Sequence, residues 1–187
     1  MLLKQIGIFH ISKVGDVFVL AMKGGENRIN PTFWNDFHAA LDYVLLQSEG
    51  HPCALVTTGD EKFYSNGLDV NYLMQHAAEP KVLDDFSRGY QRMLARLVTF
   101  PMVTVAAMNG HTYAGGYLFA LAHDIRLGNS EKGFICMNEV DTGMIIPPSL
   151  MLLLRDRLGD SNLLFDVVLA AKKYPMQEAA RQRLVQA

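Results

Sequence analysis

An α/β fold is what this sequence predicts, on three observations. Short apolar runs alternate with longer stretches whose apolar residues recur every three or four positions. The run Met102 to Met108 is almost wholly apolar, as in a parallel strand covered on both faces. Glycine- and asparagine-rich breaks separate these segments, with no repeat, low-complexity tract or linker. The 187 residues suit a single domain, 1–187, which would bury roughly 70% of its unfolded surface.

The elements follow in order. Ile6 to Ile11 and Val17 to Met22 read as strands joined by a hairpin turn at 13–16, and Gly24-Gly25 breaks the second. Asn30 is placed to cap a helix that Pro31 begins, since proline at the first helical position loses no needed N–H. Phe33, Trp34, Phe37, Ala40, Leu41 and Val44 then mark one face of a helix over 31–48. A buried strand is predicted at 54–58 and a short helix at 70–76. A longer helix starts near Pro80, with Leu83, Phe86, Tyr90, Met93, Leu94 and Leu97 on one face. Beyond the strand at 102–108, the pattern predicts a helix over 115–122 and extended segments at 124–127 and 134–137. Helices at 149–158, 161–171 and 175–186 complete it.

Composition narrows the function. Half the residues are hydrophobic and 19% are charged, the balance of a soluble globular protein. A net charge of -2 leaves no basic footprint for nucleic acid. No apolar stretch approaches the ~18 residues of a membrane span, and the N-terminus lacks the features of a secretory signal. Cys53 and Cys136 both sit in apolar runs and read as buried thiols of a reducing compartment. The six histidines show no metal-ligand spacing, and no Gly-x-Ser-x-Gly elbow supports a serine hydrolase.

Three segments could carry chemistry. In Phe63-Tyr64-Ser65-Asn66-Gly67-Leu68-Asp69, a strand feeds a glycine turn whose following N–H groups can be aimed at an anion, although an ordinary surface turn would look the same. Asn109-Gly110-His111-Thr112-Tyr113-Ala114-Gly115-Gly116 falls beyond a buried strand, where ligands sit in α/β folds. Its glycine spacing is not that of a phosphate loop, and Asn-Gly or a glycine pair can also serve turns and tight packing. Glu139 ends the apolar run Phe134 to Asn138, surroundings that raise a carboxylate's pKa toward that of a base working near neutrality. A strand-end glutamate facing water competes with that reading, and Asp141 competes for any acid–base role.

Together these segments resemble the crotonase, or enoyl-CoA hydratase/isomerase, superfamily. Its first oxyanion loop, Phe-(Ser/Ala)-x-Gly-x-Asp, is matched by Phe63 to Asp69 with one extra residue after the phenylalanine. Its second, Asn-Gly-x-x-x-(Ala/Gly)-Gly-Gly, is matched by Asn109 to Gly116 and runs on to Asp124-Ile125-Arg126. The similarity extends from about Val17 to Ala187. It implies stacked ββα turns and an acyl-CoA thioester substrate, with no separate cofactor because coenzyme A is part of that substrate. It also implies homo-oligomers, trimers being common. By this matching the oxyanion donors are the N–H groups of Leu68 and Gly115. The implied substrate-binding residues are Arg28, Ser65, Asn66, Gly67, Leu68, Asp69, Gly115 and Asn138.

Hydratases of the superfamily carry a glutamate two residues beyond the glycines and another in the next loop. Here those positions hold Leu118 and Glu139. A single glutamate at the later place is similar to the plant-type peroxisomal Δ3,Δ2-enoyl-CoA isomerases, as are Arg28-Ile29-Asn30-Pro31-Thr32 and Met137-Asn138-Glu139-Val140-Asp141. The resemblance thus implies isomerisation of 3-enoyl-CoA in β-oxidation and a peroxisomal setting. The chain itself carries no targeting signal and would otherwise be cytoplasmic. Another crotonase-type enzyme (a hydratase or thioester hydrolase) and a non-catalytic acyl-CoA-binding protein are the alternatives. Relatives continue past the position of Ala187, so the C-terminal helical part is expected to be incomplete and to leave apolar surface for self-association.

Overall fold

A computed structural model describes residues 2–186. Three strands open the chain: β1 (Leu2–Ile6), β2 (Phe9–Val14) and β3 (Val17–Met22). The expected Ile6 to Ile11 strand is divided, because Gly7 takes a positive φ of 52° and turns the chain between β1 and β2. α1 (Pro31–Ser48) has the predicted bounds, and the Asn30 side chain accepts a hydrogen bond from the Phe33 N–H at 3.0 Å. β4 (Ala54–Thr58), β5 (Phe63–Ser65), α2 (Val70–Gln75), α3 (Pro80–Val98), β6 (Val103–Met108) and β7 (His111–Tyr113) follow. Then come α4 (Gly115–Leu121), β8 (Ile125–Gly128), β9 (Phe134–Cys136), α5 (Glu139–Thr142), α6 (Pro148–Leu158), α7 (Ser161–Val168), β10 (Tyr174–Pro175) and α8 (Met176–Arg181).

Two sheets organise these elements. The larger runs β1-β2-β3-β4-β6-β8, antiparallel through β3 and parallel from β3 to β8. The smaller runs β10-β9-β7-β5, parallel except for the β10 edge. Its strands have only two or three residues, too short for a period to show in sequence, so β5, β7 and β10 were not anticipated. The predicted helix at 175–186 is correspondingly shorter: Tyr174 and Pro175 pair with β9, and the chain leaves α8 after Arg181. Likewise the helix expected over 161–171 ends at Val168.

Every residue of α4 is buried. Its Phe119 meets Phe33 and Phe37 of α1 edge-on, with ring centroids 5.9 and 5.3 Å apart, while Phe33 stands 5.1 Å from Phe9 of β2. Trp34 and Phe86 join α1 to α3 in the same manner at 5.0 Å. One correction concerns β6, read above as covered on both faces. Thr104, Ala106 and Met108 point into the core, whereas Val103 on the opposite face is 53% exposed. A continuous apolar run has no alternation to reveal which face is covered. Cys136 is buried as expected, while Cys53, just ahead of β4, is only half-buried; both thiols are free.

A buried polar chain ties α4 to both sheets. The His123 Nδ1 lies 2.9 Å from the Phe119 carbonyl, which can only accept, so this nitrogen carries the proton. Nε2 then accepts from the Thr57 hydroxyl at 2.9 Å, and the Thr57 oxygen accepts from the Tyr64 hydroxyl at 2.7 Å. Burial lowers the His123 pKa from 6.5 to about 4. The unfolded imidazole protonates near 6.5 while the folded one resists. Stability is therefore fully present above that pH and is lost as pH falls toward about 4, with about 3 kcal/mol at stake. We expect His123→Gln to flatten that part of the stability–pH curve in denaturant titrations. An unchanged slope would show that His123 is not the group responsible.

Candidate active site

The two glycine loops meet because β5 and β7 are neighbours in the small sheet. Asn109 fastens one to the other: its side chain accepts from the Gly59 N–H at 2.7 Å and donates to the Asp60 carbonyl. Asn27, itself buried, donates to the carbonyls of Phe63 and Tyr64 at 3.3 and 3.0 Å, which braces the first loop from the other side. Gly67 turns that loop with φ of 79°. A Cβ there would approach the Tyr113 carbonyl to 3.0 Å and the Gly115 nitrogen to 3.3 Å, so the close contact and the conformation both require glycine. Gly116 is equally constrained, since its Cβ would fall 2.6 Å from the Ser65 carbonyl.

The peptide planes of Leu68 and Gly115 are fixed through their carbonyl ends. The Gly67 carbonyl accepts from the Ile29 N–H at 2.8 Å, and a planar trans peptide then turns the Leu68 N–H the opposite way. The Ala114 carbonyl accepts from the Tyr117 and Leu118 N–H groups at 2.9 and 3.2 Å, with the same consequence for the Gly115 N–H. Neither N–H has a protein acceptor among the described residues. Leu68 and Gly115 are in contact, because a Cβ on Gly115 would come within 3.0 Å of Leu68 Cγ. Ala114 holds φ 47° and ψ −123°, a conformation that L-residues rarely adopt and that its surroundings must enforce.

Leu68 and Gly115 line a cavity of about 670 Å³, together with Glu139. Leu73, Phe86, Leu118, Met144, Ile146 and Leu150 make much of its wall apolar. Arg28, Asn66, Tyr113, Asn138 and Lys173 bring polar groups to it. Glu139 is the first residue of α5 rather than the last of an extended run, and its Oε2 is buried without a hydrogen-bond partner among the described residues. Burial raises its pKa from 4.5 to about 7; its own backbone N–H opposes this by less. Asp141 also borders the cavity but is exposed. Leu118 is 2% exposed and fills the place beside the glycines with hydrocarbon.

Of the residues singled out in the sequence, Arg28, Asn66, Leu68, Gly115, Asn138 and Glu139 share this cavity. Ser65, Gly67 and Asp69 are not on its wall. The Ser65 hydroxyl is buried, donating to the Asn27 carbonyl at 2.8 Å and accepting from the Gly67 N–H at 3.2 Å. Asp69 caps α2 through the Tyr72 N–H at 3.1 Å and accepts from the Asn30 side chain at 3.0 Å. These two shape the loop, and Gly67 turns it. Tyr90 is a further residue of the site that no sequence motif marks. Its hydroxyl donates to the Gly115 carbonyl at 2.5 Å inside the cavity wall. On the apolar face of α3 a tyrosine reads as core, and nothing local signals its partner.

The Enoyl-CoA hydratase/isomerase family profile matches residues 15–187. Enoyl-CoA delta isomerase 1, peroxisomal, of Arabidopsis thaliana is 31% identical over 176 residues, spanning 94% of this chain and 72% of that protein. Enoyl-CoA delta isomerase 3 of the same plant is 33% identical over 178 residues, spanning 94% of this chain and 74% of its relative. Among solved structures, a probable enoyl-CoA hydratase from Mycobacterium tuberculosis H37Rv superposes with a TM-score of 0.86 at 25% identity, covering 96% of this chain and 73% of that one. Two relatives above 30% identity, a profile spanning nearly the whole chain and a shared backbone lead to one assignment: the chain belongs to the enoyl-CoA hydratase/isomerase family.

Proposed function

We propose that this protein is a Δ3,Δ2-enoyl-CoA isomerase in which Glu139 is the lone proton shuttle. The observation that carries this reading is the pairing of one buried carboxylate of near-neutral pKa with Leu118, where a second carboxylate would serve hydration. The substrate's C2 proton passes to the Glu139 carboxylate, and the C–H electron pair forms the thioester enolate. The enolate oxygen takes hydrogen bonds from the Leu68 and Gly115 N–H groups, each worth on the order of 3 kcal/mol in the transition state. Glu139 then returns a proton to C4 as the double bond settles between C2 and C3. Atoms and charge balance, and no cofactor enters. Arg28, Asn66 and Asn138 hold the polar part of the acyl-CoA, while the apolar wall receives the acyl chain. Hydration would need a water held and deprotonated while C2 gains a proton, for which this wall offers little.

The test compares 3-enoyl-CoA and 2-enoyl-CoA with the purified chain. Formation of the conjugated thioester from the first, with little 3-hydroxyacyl-CoA from the second, is the expected result. Dominant hydration or release of free coenzyme A would replace isomerisation with one of the other family chemistries, and binding without turnover would leave a binding protein. Since the base must be ionised, kcat/KM should rise with pH through about 7 and then level off. A profile flat from about pH 6 to about 8 would exclude Glu139 as that base. The proposal includes assembly as a homotrimer and a role in β-oxidation, both supported by the resemblance alone, and a peroxisomal setting, supported also by the name of the first relative. Light scattering and localisation of the tagged protein test the assembly and the setting.

A further inference from the structure

We infer that Tyr90 is a positioning residue for the reaction, clamping the Gly115–Gly116 backbone so that the Gly115 N–H stays aimed at the substrate carbonyl. The inference rests on the isomerase reading for its kinetic arm only. Tyr90 reaches the second glycine loop from α3, 25 residues away in sequence, and donates its hydroxyl proton to the Gly115 carbonyl at 2.5 Å. The other residues on that face of α3, Phe86, Met93, Leu94 and Leu97, are wholly apolar. Phenylalanine would therefore serve the packing, and burying a phenol is favourable only when its hydroxyl is bonded. In a helix beginning at Gly115, the carbonyl of the first residue already accepts an intrahelical N–H, so it needs no second donor for its own sake.

What needs the clamp is the backbone around it. Gly115 and Gly116 are consecutive glycines, the most permissive pair a chain can contain. They follow Ala114, whose φ of 47° and ψ of −123° persist only while the surroundings over-determine them. Ala114 is held at both ends, its N–H donating to the Cys136 carbonyl at 2.8 Å and its carbonyl accepting in the first turn of α4, but no side chain other than Tyr90 bonds the Gly115 or Gly116 backbone among the described residues. Released from Tyr90, the Gly115–Gly116 peptide can shift at the start of α4 and, through the Gly115 Cα, draw the neighbouring peptide that carries the Gly115 N–H off its aim. Burial and the charge of Glu139 both push the Tyr90 phenol well above its ordinary pKa, which keeps the donor protonated throughout the working range.

Tyr90→Phe removes the hydroxyl and keeps the ring. With 3-enoyl-CoA we expect kcat to fall about tenfold while KM stays within about twofold, because a misaimed donor is felt mainly in the transition state. Infrared spectra of a bound, carbonyl-labelled 2-enoyl-CoA supply a readout independent of turnover. The wild-type chain should lower the thioester carbonyl stretch, and the variant should lose much of that lowering. A merely structural tyrosine would alter the melting temperature and leave both kcat and the carbonyl shift intact; that result overturns the inference. So does a wild-type chain that leaves the carbonyl unshifted. A wild-type chain that shifts the carbonyl without isomerising 3-enoyl-CoA refutes the isomerase reading instead, and loss of the shift in Tyr90→Phe then still upholds the clamp.

Discussion

Glu139→Gln should lower turnover of 3-enoyl-CoA by about 10²–10⁴, the usual contribution of a positioned acid or base. The amide keeps the size of the side chain and its capacity to hydrogen-bond, so packing and ligand affinity should change far less than rate. It cannot take up a proton at neutral pH, which isolates the proposed role. The site that Glu139 occupies gives the effect its expected scale. A carboxyl whose pKa burial has raised to about 7 is both appreciably ionised and appreciably basic at physiological pH. Asp141→Asn is the matched control, since Asp141 borders the same cavity but is exposed. Activity should largely survive there. Survival in Glu139→Gln with collapse in Asp141→Asn would move the proton-transfer role two residues along, and survival in both would show that neither carboxylate moves the proton.

Gly115→Pro should cost about 10²–10³ in rate, because it deletes one oxyanion donor. Gly115 begins α4, where proline's fixed φ is tolerated, so the helix should persist. The added atoms are less benign: a Cβ at this position meets Leu68 Cγ at 3.0 Å and the Tyr90 hydroxyl at 3.3 Å. Gly115→Ala therefore accompanies it, placing the same Cβ while retaining the N–H. Alanine should lose much less activity than proline. Equal losses in the two would assign the effect to crowding of Leu68 and Tyr90 rather than to the missing donor. Leu68→Ala should be milder than either, since Leu68 is proposed to act through its backbone.

The sequence revealed most where pattern and chemistry agree. Proline after a capping asparagine and a steady three-to-four periodicity placed α1 at its observed bounds. The two glycine turns and the carboxylate after them drew attention to Leu68, Gly115 and Glu139, which do share a cavity. The small sheet, apart from β9, was hidden because strands of two or three residues carry no periodicity, yet its β5–β7 pairing is what brings the two glycine loops together. Ser65 and Asp69 looked like ligand contacts because a short polar run beside a glycine serves loop-bracing and ligand-binding equally well. Only tertiary structure separates the two, by showing Ser65 satisfied by Asn27 and Asp69 by the α2 backbone. Tyr90 was invisible for the converse reason: its partner lies 25 residues away and is a backbone carbonyl, which no side-chain pattern records.

Transfer of a label between carbons tests the single-shuttle mechanism most directly. With 3-enoyl-CoA deuterated at C2, a lone Glu139 that takes the C2 deuteron and returns it should leave part of the label at C4 of the 2-enoyl product, as read by mass spectrometry and NMR after the first turnovers in ordinary water. Retention should vanish together with turnover in Glu139→Gln. Product carrying only solvent hydrogen at C4 from the first turnover would mean that separate groups handle the two protons, and one carboxylate would then not account for the reaction.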